Sequence, residues 1–265
     1  MTPRRFEGKN VIVTGAGQGI GLAIAERFAA EGADVMVIGR RREPLKALVG
    51  QIEARGESAW LHTADVSDAV AVDAAIAAAH DRWGRIDVLV NNAGIAEEKA
   101  FIEIEDETWD AVLATNLRGA FLMAQRVARL QIATGGGAIV HIASIDASGG
   151  DGPYASYNAS KAGLLGLSRT MALELGPHGI RSNCVSPGFT HTEMTEMGVP
   201  PGMMDYLVHR FDRVPLRRLV RPEEIAAACA FLASEDASAI TGIDLTVDCG
   251  LTANWYILES IPADG

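Results

Sequence analysis

Short apolar runs rich in β-branched residues alternate along this chain with longer segments of helical period. "NVIVTG" reads as a strand, and "GIGLAIAERFAAEG" as a helix closed by Gly32. "ADVMVIG" is a second strand, followed by the helix "EPLKALVGQIEARG" with Pro44 near its start. "SAWLHTADV" precedes the Ala-rich helix "DAVAVDAAIAAAHDRWG", and "IDVLVNNAG" precedes one long helix over about residues 106–133. "AIVHIAS" leads to a helix over 154–176, and "IRSNCVSPG" to the helix "PEEIAAACAFLAS", which starts beside Pro222. "GIDLTVDCG" closes the series. These strands are apolar throughout, the pattern of a sheet covered on both faces. The order predicts an α/β fold: a doubly wound parallel sheet with right-handed crossovers and helices on both sides, in three layers.

The 265 residues contain no Pro/Ser-rich linker, internal repeat or low-complexity block, so one domain over 1–265 is expected. A net charge of −11 argues against a nucleic-acid partner, which needs a basic face. Cys184, Cys229 and Cys249 are odd in number and far apart, which suits free thiols in a reducing cytoplasm better than disulfides. They and the six histidines lack ligand spacing, so no metal is expected. "VIVTGAGQGIGLAIA" resembles a targeting segment, but its four glycines and amphipathic continuation read better as loop and helix. No run approaches the roughly 20 apolar residues of a membrane span, so no membrane partner is expected.

In a doubly wound sheet, ligands bind beyond the carboxyl ends of the strands, and polar or glycine-rich groups follow six successive strands here. "TGAGQGIG" follows the first, with Gly15, Gln18, Gly19, Ile20 and Gly21 as candidate contacts. Glycines there let the backbone approach a pyrophosphate at a helix N-terminus. Gly39 follows the second strand, where an acid would bind the ribose hydroxyls of NAD, and then come Arg40 and Arg41, able to grip a 2′-phosphate. NADP(H) is therefore favoured, with NAD(H) as the alternative; a solvated basic helix start is the plainer account of the two arginines. Asp65 and Val66 follow the third strand, the acid placed to accept from an adenine amino group or to cap the next helix. Asn92, Ala93 and Gly94 of "NNAG" follow the fourth, and Ser144 the fifth. Pro187, Gly188, Thr190 and Thr192 of "SPGFTHT" follow the sixth, with hydroxyls that could meet a carboxamide.

Tyr157 and Lys161 of "YNASK" lie four residues apart, on one face of a helix. An ammonium near a phenol favours the phenolate, so the pair predicts a lowered Tyr157 pKa and proton exchange near neutral pH. Taken alone, such a pair is common on helices.

"TGAGQGIG", "NNAG", Asn116 in "ATNLRGAF", Ser144, "YNASK" and "PGFTHT" together resemble the short-chain dehydrogenase/reductase family, in order and spacing, over about residues 9–250. The resemblance implies a seven-stranded Rossmann-like sheet, a nicotinamide cofactor, a small carbonyl or alcohol substrate, and a homotetramer or dimer. It implies Tyr157 as general acid/base, Ser144 as hydrogen-bond donor to the substrate oxygen, and Lys161 on the nicotinamide ribose, lowering the Tyr157 pKa. Asn116 would support a water relay to Lys161; a buried amide satisfying the backbone is its structural alternative.

Gly39 departs from the NAD-type pattern, and the tail over 251–265, with Trp255 and Tyr256, extends the family's usual ending. Residues 190–212 are expected to form a substrate lid, whose Met194, Met197, Met203 and Met204 suit an apolar ligand or ordinary packing equally. Within the family the rivals are a 3-oxoacyl-thioester reductase, with Arg217, Arg218 and Arg221 as a basic docking face, and an NAD-dependent alcohol, polyol or dihydrodiol dehydrogenase. Outside it stands a non-catalytic dinucleotide sensor, which would have no need of Ser144, Tyr157 and Lys161 together. A nucleotide-sugar epimerase or dehydratase would carry an added C-terminal domain for which too few residues remain.

Overall fold

A computed structural model describes residues 4–200 and 202–253; of Met194, Met197 and Gly198 it describes the backbone alone. Seven parallel strands form one sheet in the order β3-β2-β1-β4-β5-β6-β7. They are β1 (Asn10–Thr14), β2 (Asp34–Gly39), β3 (Ser58–Thr63), β4 (Val88–Asn91), β5 (Gly137–Ile142), β6 (Ile180–Pro187) and β7 (Asp244–Val247). The helices are α1 (Gly19–Ala30), α2 (Arg42–Ala54), α3 (Ala69–Trp83), α4 (Asp106–Leu113), α5 (Gly119–Thr134), α6 (Ala155–Leu175), α7 (Glu193–Gly198), α8 (Met203–His209) and α9 (Pro222–Ala233).

The sequence of the central strands is apolar on both faces because both are covered. Val11 and Val13 of β1 enter one core with Ile24 and Phe28 of α1, Leu48 of α2 and Ile225 of α9. Ile12, between them, points the other way, into a second core with Val72 of α3 and Met123 and Val127 of α5. Each such side chain, fully withdrawn from water, contributes roughly 1.5–3 kcal/mol before entropy is counted. The expectation of uniformly covered strands fails at the sheet edges. Both β3 and β7 are largely half-exposed, since an edge strand has a neighbour on one side only.

The single helix expected over 106–133 is instead α4 and α5 joined by a π-turn over Ala114–Arg118. The strand expected through Val66 stops at Thr63, because Asp65 folds back to accept from the Ser67 amide at 2.9 Å. The topological switch lies between β1 and β4, whose chains leave the sheet toward opposite faces. No helix among the described residues is long and apolar enough to cross a membrane.

Candidate active site

The turn after β1 and the loop after β4 are tied together across the switch point. Thr14 Oγ1 accepts from the amides of Asn92 and Ala93, both at 3.0 Å. Asn92 Nδ2 returns two bonds, to the carbonyls of Thr14 and Gly15 at 3.0 and 3.1 Å. Side chains are shut out of this turn. A Cβ on Gly21 would sit 2.3 Å from the Gly15 carbonyl oxygen, and one on Gly15 2.7 Å from Ala93 Cα. Gly15 and Gly19 also hold φ of +66° and +54°, which L side chains disfavour. The result is a bare backbone ledge at the N-terminus of α1, the shape and dipole that a dinucleotide pyrophosphate requires. The residues present therefore fit the cofactor the sequence implies.

Beyond β2 the cleft turns basic. Gly39, Arg40 and Arg41 line it beside Gly17 and Gln18. Arg41 donates to the Gln18 side chain, holding a guanidinium over the turn. A Cβ on Gly39 would meet Leu45 at 3.5 Å, an ordinary contact, so packing does not demand glycine at this position. Asp65 lines the same region. The bonds from Ser67 and the charge of Arg40 hold its carboxyl below the usual range against the opposing effect of burial, which is the largest single influence. The cap of α3 is Asp68, which accepts from Val70, so Asp65 is not spent on that task.

The other end of the cleft is built from β5 and α6. Ser144 leaves β5 buried, with its hydroxyl donating to Asp146 Oδ2 at 3.0 Å and accepting from the Asp146 amide at 3.2 Å. Tyr157 and Lys161 rise from one face of α6, as their spacing predicts. Lys161 is buried, donates to the Ile142 carbonyl at 2.7 Å, and places its Nζ 5.4 Å from the Tyr157 ring centroid. Burial pushes its ammonium down to about 8, against the opposing charges of Cys184 and Asp146. Burial likewise pushes the Tyr157 phenol up to about 12; Ser144 pulls it down and the Asp146 charge adds to the rise. This corrects the lowered phenol pKa expected from the sequence: burial, with the Asp146 charge, outweighs the bond from Ser144.

Asn116 sits on the π-turn, buried. Its Oδ1 accepts from the Ile95 amide and its Nδ2 donates to the Ile95 carbonyl, both at 2.8 Å, and to Ser160 Oγ at 3.0 Å. The amide thus clamps the loop after β4 onto α6, as the structural alternative expected. A Cβ on Gly94 would nevertheless lie 3.4 Å from Asn116 Oδ1 and 3.6 Å from Lys161 Nζ, so both polar atoms lie close to Gly94.

All the catalytic and cofactor-binding candidates named from the sequence except Asn116 line a single cleft of about 490 Å³. Pro187, Gly188, Thr190 and Thr192 form its wall beyond β6. The hydroxyls expected to meet a carboxamide have backbone partners: Thr190 Oγ1 donates to the Gly188 carbonyl at 2.9 Å, and Thr192 caps α7. Asn91 of "NNAG" turns into the core instead, donating to the Ala120 carbonyl at 3.0 Å. The proposed basic docking face is largely consumed. Arg218 grips Glu224 at 2.8 and 2.7 Å and with Arg221, which reaches the same carboxylate at 3.1 Å, brings its pKa down to about 2. Of the lid methionines, Met203 is exposed and Met204 packs with Leu207 and Phe211, while the side chains of Met194 and Met197 lie outside the described residues. Trp255 and Tyr256 of the tail also lie outside the described residues. Asp146 and the clasping role of Thr14 escaped the sequence reading; the short spacing of "SID" was the one available signal for the former.

A doubly wound sheet with a glycine ledge at one end of its cleft and a Ser, Tyr and Lys cluster at the other defines a nicotinamide-dependent oxidoreductase scaffold. Comparison with known proteins agrees. A family model described as enoyl-(acyl carrier protein) reductase matches residues 15–252. D-threitol dehydrogenase of Mycolicibacterium smegmatis is 40% identical, over 94% of each chain. The 3-oxoacyl-(acyl-carrier-protein) reductase of Thermotoga maritima is 38% identical, over 93% of this chain and 99% of the relative. The crystal structure of a short-chain type dehydrogenase/reductase from Mycobacterium marinum superposes with a TM-score of 0.88 at 35% identity, covering 94% of this chain and 97% of that one. The chain belongs to the short-chain dehydrogenase/reductase family and is an enzyme acting on alcohol or ketone groups.

Proposed function

We propose that the protein moves a hydride between NADP(H) and a ketone or secondary alcohol, with Tyr157 as general acid/base. The observation that carries this reading is that Ser144, Tyr157 and Lys161 share one cleft with the glycine ledge. When bound, the nicotinamide supplies or accepts the hydride. In the reducing direction, Tyr157 gives its proton to the substrate oxygen as negative charge develops there. A phenol held protonated by burial suits that role, because the alkoxide it meets is a stronger base still. Ser144 donates a hydrogen bond to the same oxygen, and Lys161 holds the nicotinamide ribose while its charge steadies the phenolate left behind. The closeness of both Asn116 Oδ1 and Lys161 Nζ to Gly94 supports a water relay that returns the proton.

The choice of NADP(H) over NAD(H) is supported by Arg40 and Arg41 lining the cleft and by a glycine at position 39 that packing does not require. Asp65 would accept from the adenine amino group. The segment over 190–212, with α7 and α8, would serve as the substrate lid. A cytoplasmic homotetramer or dimer is the accompanying reading. Three free cysteines favour the compartment, and an apolar surface hollow of Leu113, Leu117, Phe121 and Leu167 favours assembly. Reduction of a carrier-linked 3-oxoacyl thioester, the activity printed for the Thermotoga maritima relative, is the second reading; the pairing of Arg218 and Arg221 with Glu224 weighs against it.

Tyr157→Phe tests the acid/base role. We expect kcat to fall by about 10²–10⁴ while NADPH binding, followed by fluorescence titration, stays within about twofold. Turnover retained at the wild-type level would remove Tyr157 from the chemistry.

A further inference from the structure

A serine hydroxyl has one proton to donate. Ser144 gives its proton to Asp146 Oδ2 at 3.0 Å, and both residues line the cleft beside Tyr157. If Ser144 is to steady a substrate oxygen, that proton must turn away from Asp146. The carboxylate, half-buried and able only to accept when ionised, then loses its side-chain donor. A substrate with a lone carbonyl brings nothing to replace it. A substrate with a hydroxyl on the neighbouring carbon does. Vicinal oxygens in a gauche arrangement stand about a hydrogen-bond length apart, roughly 2.8 Å, close to the 3.0 Å between Ser144 Oγ and Asp146 Oδ2. One oxygen can therefore meet Ser144 while its neighbour donates to Asp146.

Charge along the cleft points the same way. Arg40 and Arg41 stand at the end beyond β2, whereas Asp146 and Asp151 line the cleft near Tyr157. Lys161 brings one positive charge to this end, and its ammonium donates to the Ile142 carbonyl. Like charges facing a ligand reject it, so a phosphate-bearing arm is disfavoured at this end and an uncharged polyhydroxy chain is not.

We propose that Asp146 is a specificity-determining residue: it accepts a hydrogen bond from a second substrate hydroxyl, adjacent to the reacting carbon. The enzyme then acts on vicinal diols and polyols, and in reverse on α-hydroxyketones, in preference to anionic thioesters. This rests on the roles given above to Ser144 and Tyr157. The hydride leaves the carbinol carbon for the oxidised nicotinamide and the hydroxyl proton leaves through Tyr157, while the second hydroxyl is unchanged.

The test compares acetoin with 2-butanone, which differ by one hydroxyl, alongside acetoacetyl-coenzyme A, each with NADPH and with NADH. For the wild type we expect kcat/KM for acetoin to exceed that for 2-butanone by about 10- to 100-fold, and to exceed that for the thioester. Asp146→Ala should bring the acetoin/butanone ratio below about threefold, and Asp146→Asn, which keeps an acceptor, should leave it in between. The ratio within one preparation does not depend on the fraction folded. A ratio unchanged in Asp146→Ala, or a wild-type preference for the thioester, would overturn the assignment and leave hydride transfer standing. Failure of the wild type to turn over any of the three with either dinucleotide would instead remove the proposed function, and this inference with it.

Discussion

His141 stands in β5 with its side chain wholly withdrawn from water, Nδ1 3.3 Å from Asn91 Nδ2 and Nε2 without a protein partner among the described residues. Burial, reinforced by the charge of Lys161, pushes its pKa down to about 4 from the ordinary 6.5. The neutral ring is tolerated in the fold; the charged one is not. Between pH 6.5 and 4 the unfolded chain therefore binds a proton that the folded chain refuses, and stability falls as pH drops through that window. The loss reaches roughly 3 kcal/mol near pH 4 and vanishes above pH 6.5. His141→Gln removes the titration while keeping a polar side chain. In urea denaturation at pH 7 and pH 4.5, we expect the variant to lose about 2 kcal/mol less than the wild type on acidification. Equal losses would mean that His141 takes up its proton without opening the fold.

The helix end that closes the sheet on the β6 side depends on one cation. Arg181 of β6 reaches the carbonyls of Leu232, Ala233 and Ser234 at 2.5, 3.2 and 3.0 Å, at the C-terminus of α9. The Leu232 and Ala233 carbonyls belong to the last turn, which has no helical donors, the Ser234 carbonyl also accepts from the Ala237 amide at 3.2 Å, and the dipole there favours positive charge. Arg181→Met keeps the stem and removes the donors. We expect a loss of about 2 kcal/mol, read as a fall of several degrees in Tm by calorimetry; a shift below one degree would show that water serves these carbonyls as well. Elements of this kind divide by how they are encoded. The helix α9 was legible because Pro222 marks its first turn, and the cleft because glycines and hydroxyls follow each strand. The π-turn was not legible. "ATNLRG" has ordinary helical composition, and one inserted residue changes the hydrogen-bond register without a breaker to mark it. Yet that insertion accompanies the tertiary clamp through which Asn116 reaches Ile95 and Ser160. The extent of β3 was overestimated because the Asx turn at Asp65 decides it, and a lone aspartate reads equally as cap or turn. The two ends of the Arg181 clasp, 52 residues apart for Arg181 and Ala233, leave no local signal at all.

At the scale of the whole molecule, a chain of net charge −11 must capture a cofactor that is itself a polyanion. The long-range field opposes that encounter, so recognition has to be local. Arg40 and Arg41 would provide it at one end of the cleft, and the glycine ledge needs no side-chain charge. NADPH differs from NADH by a 2′-phosphate carrying about −1.5 to −2 charges, which the two guanidiniums would meet directly. Screening then acts unequally on the two dinucleotides. The Debye length shrinks from about 10 Å at 0.1 M salt to about 3 Å at 1 M, which would weaken the extra attraction proposed for NADPH. We expect the Kd of NADPH, measured by calorimetric titration between about 0.05 and 0.5 M NaCl, to rise several-fold more than that of NADH. In the double variant Arg40→Ala/Arg41→Ala, NADPH should bind about 10- to 100-fold more weakly, NADH nearly as before, and the two salt slopes should converge. Because the readout is binding alone, it is independent of whether the substrate has been found. Parallel slopes in the wild type would place the 2′-phosphate in solvent and return the cofactor choice to NAD(H).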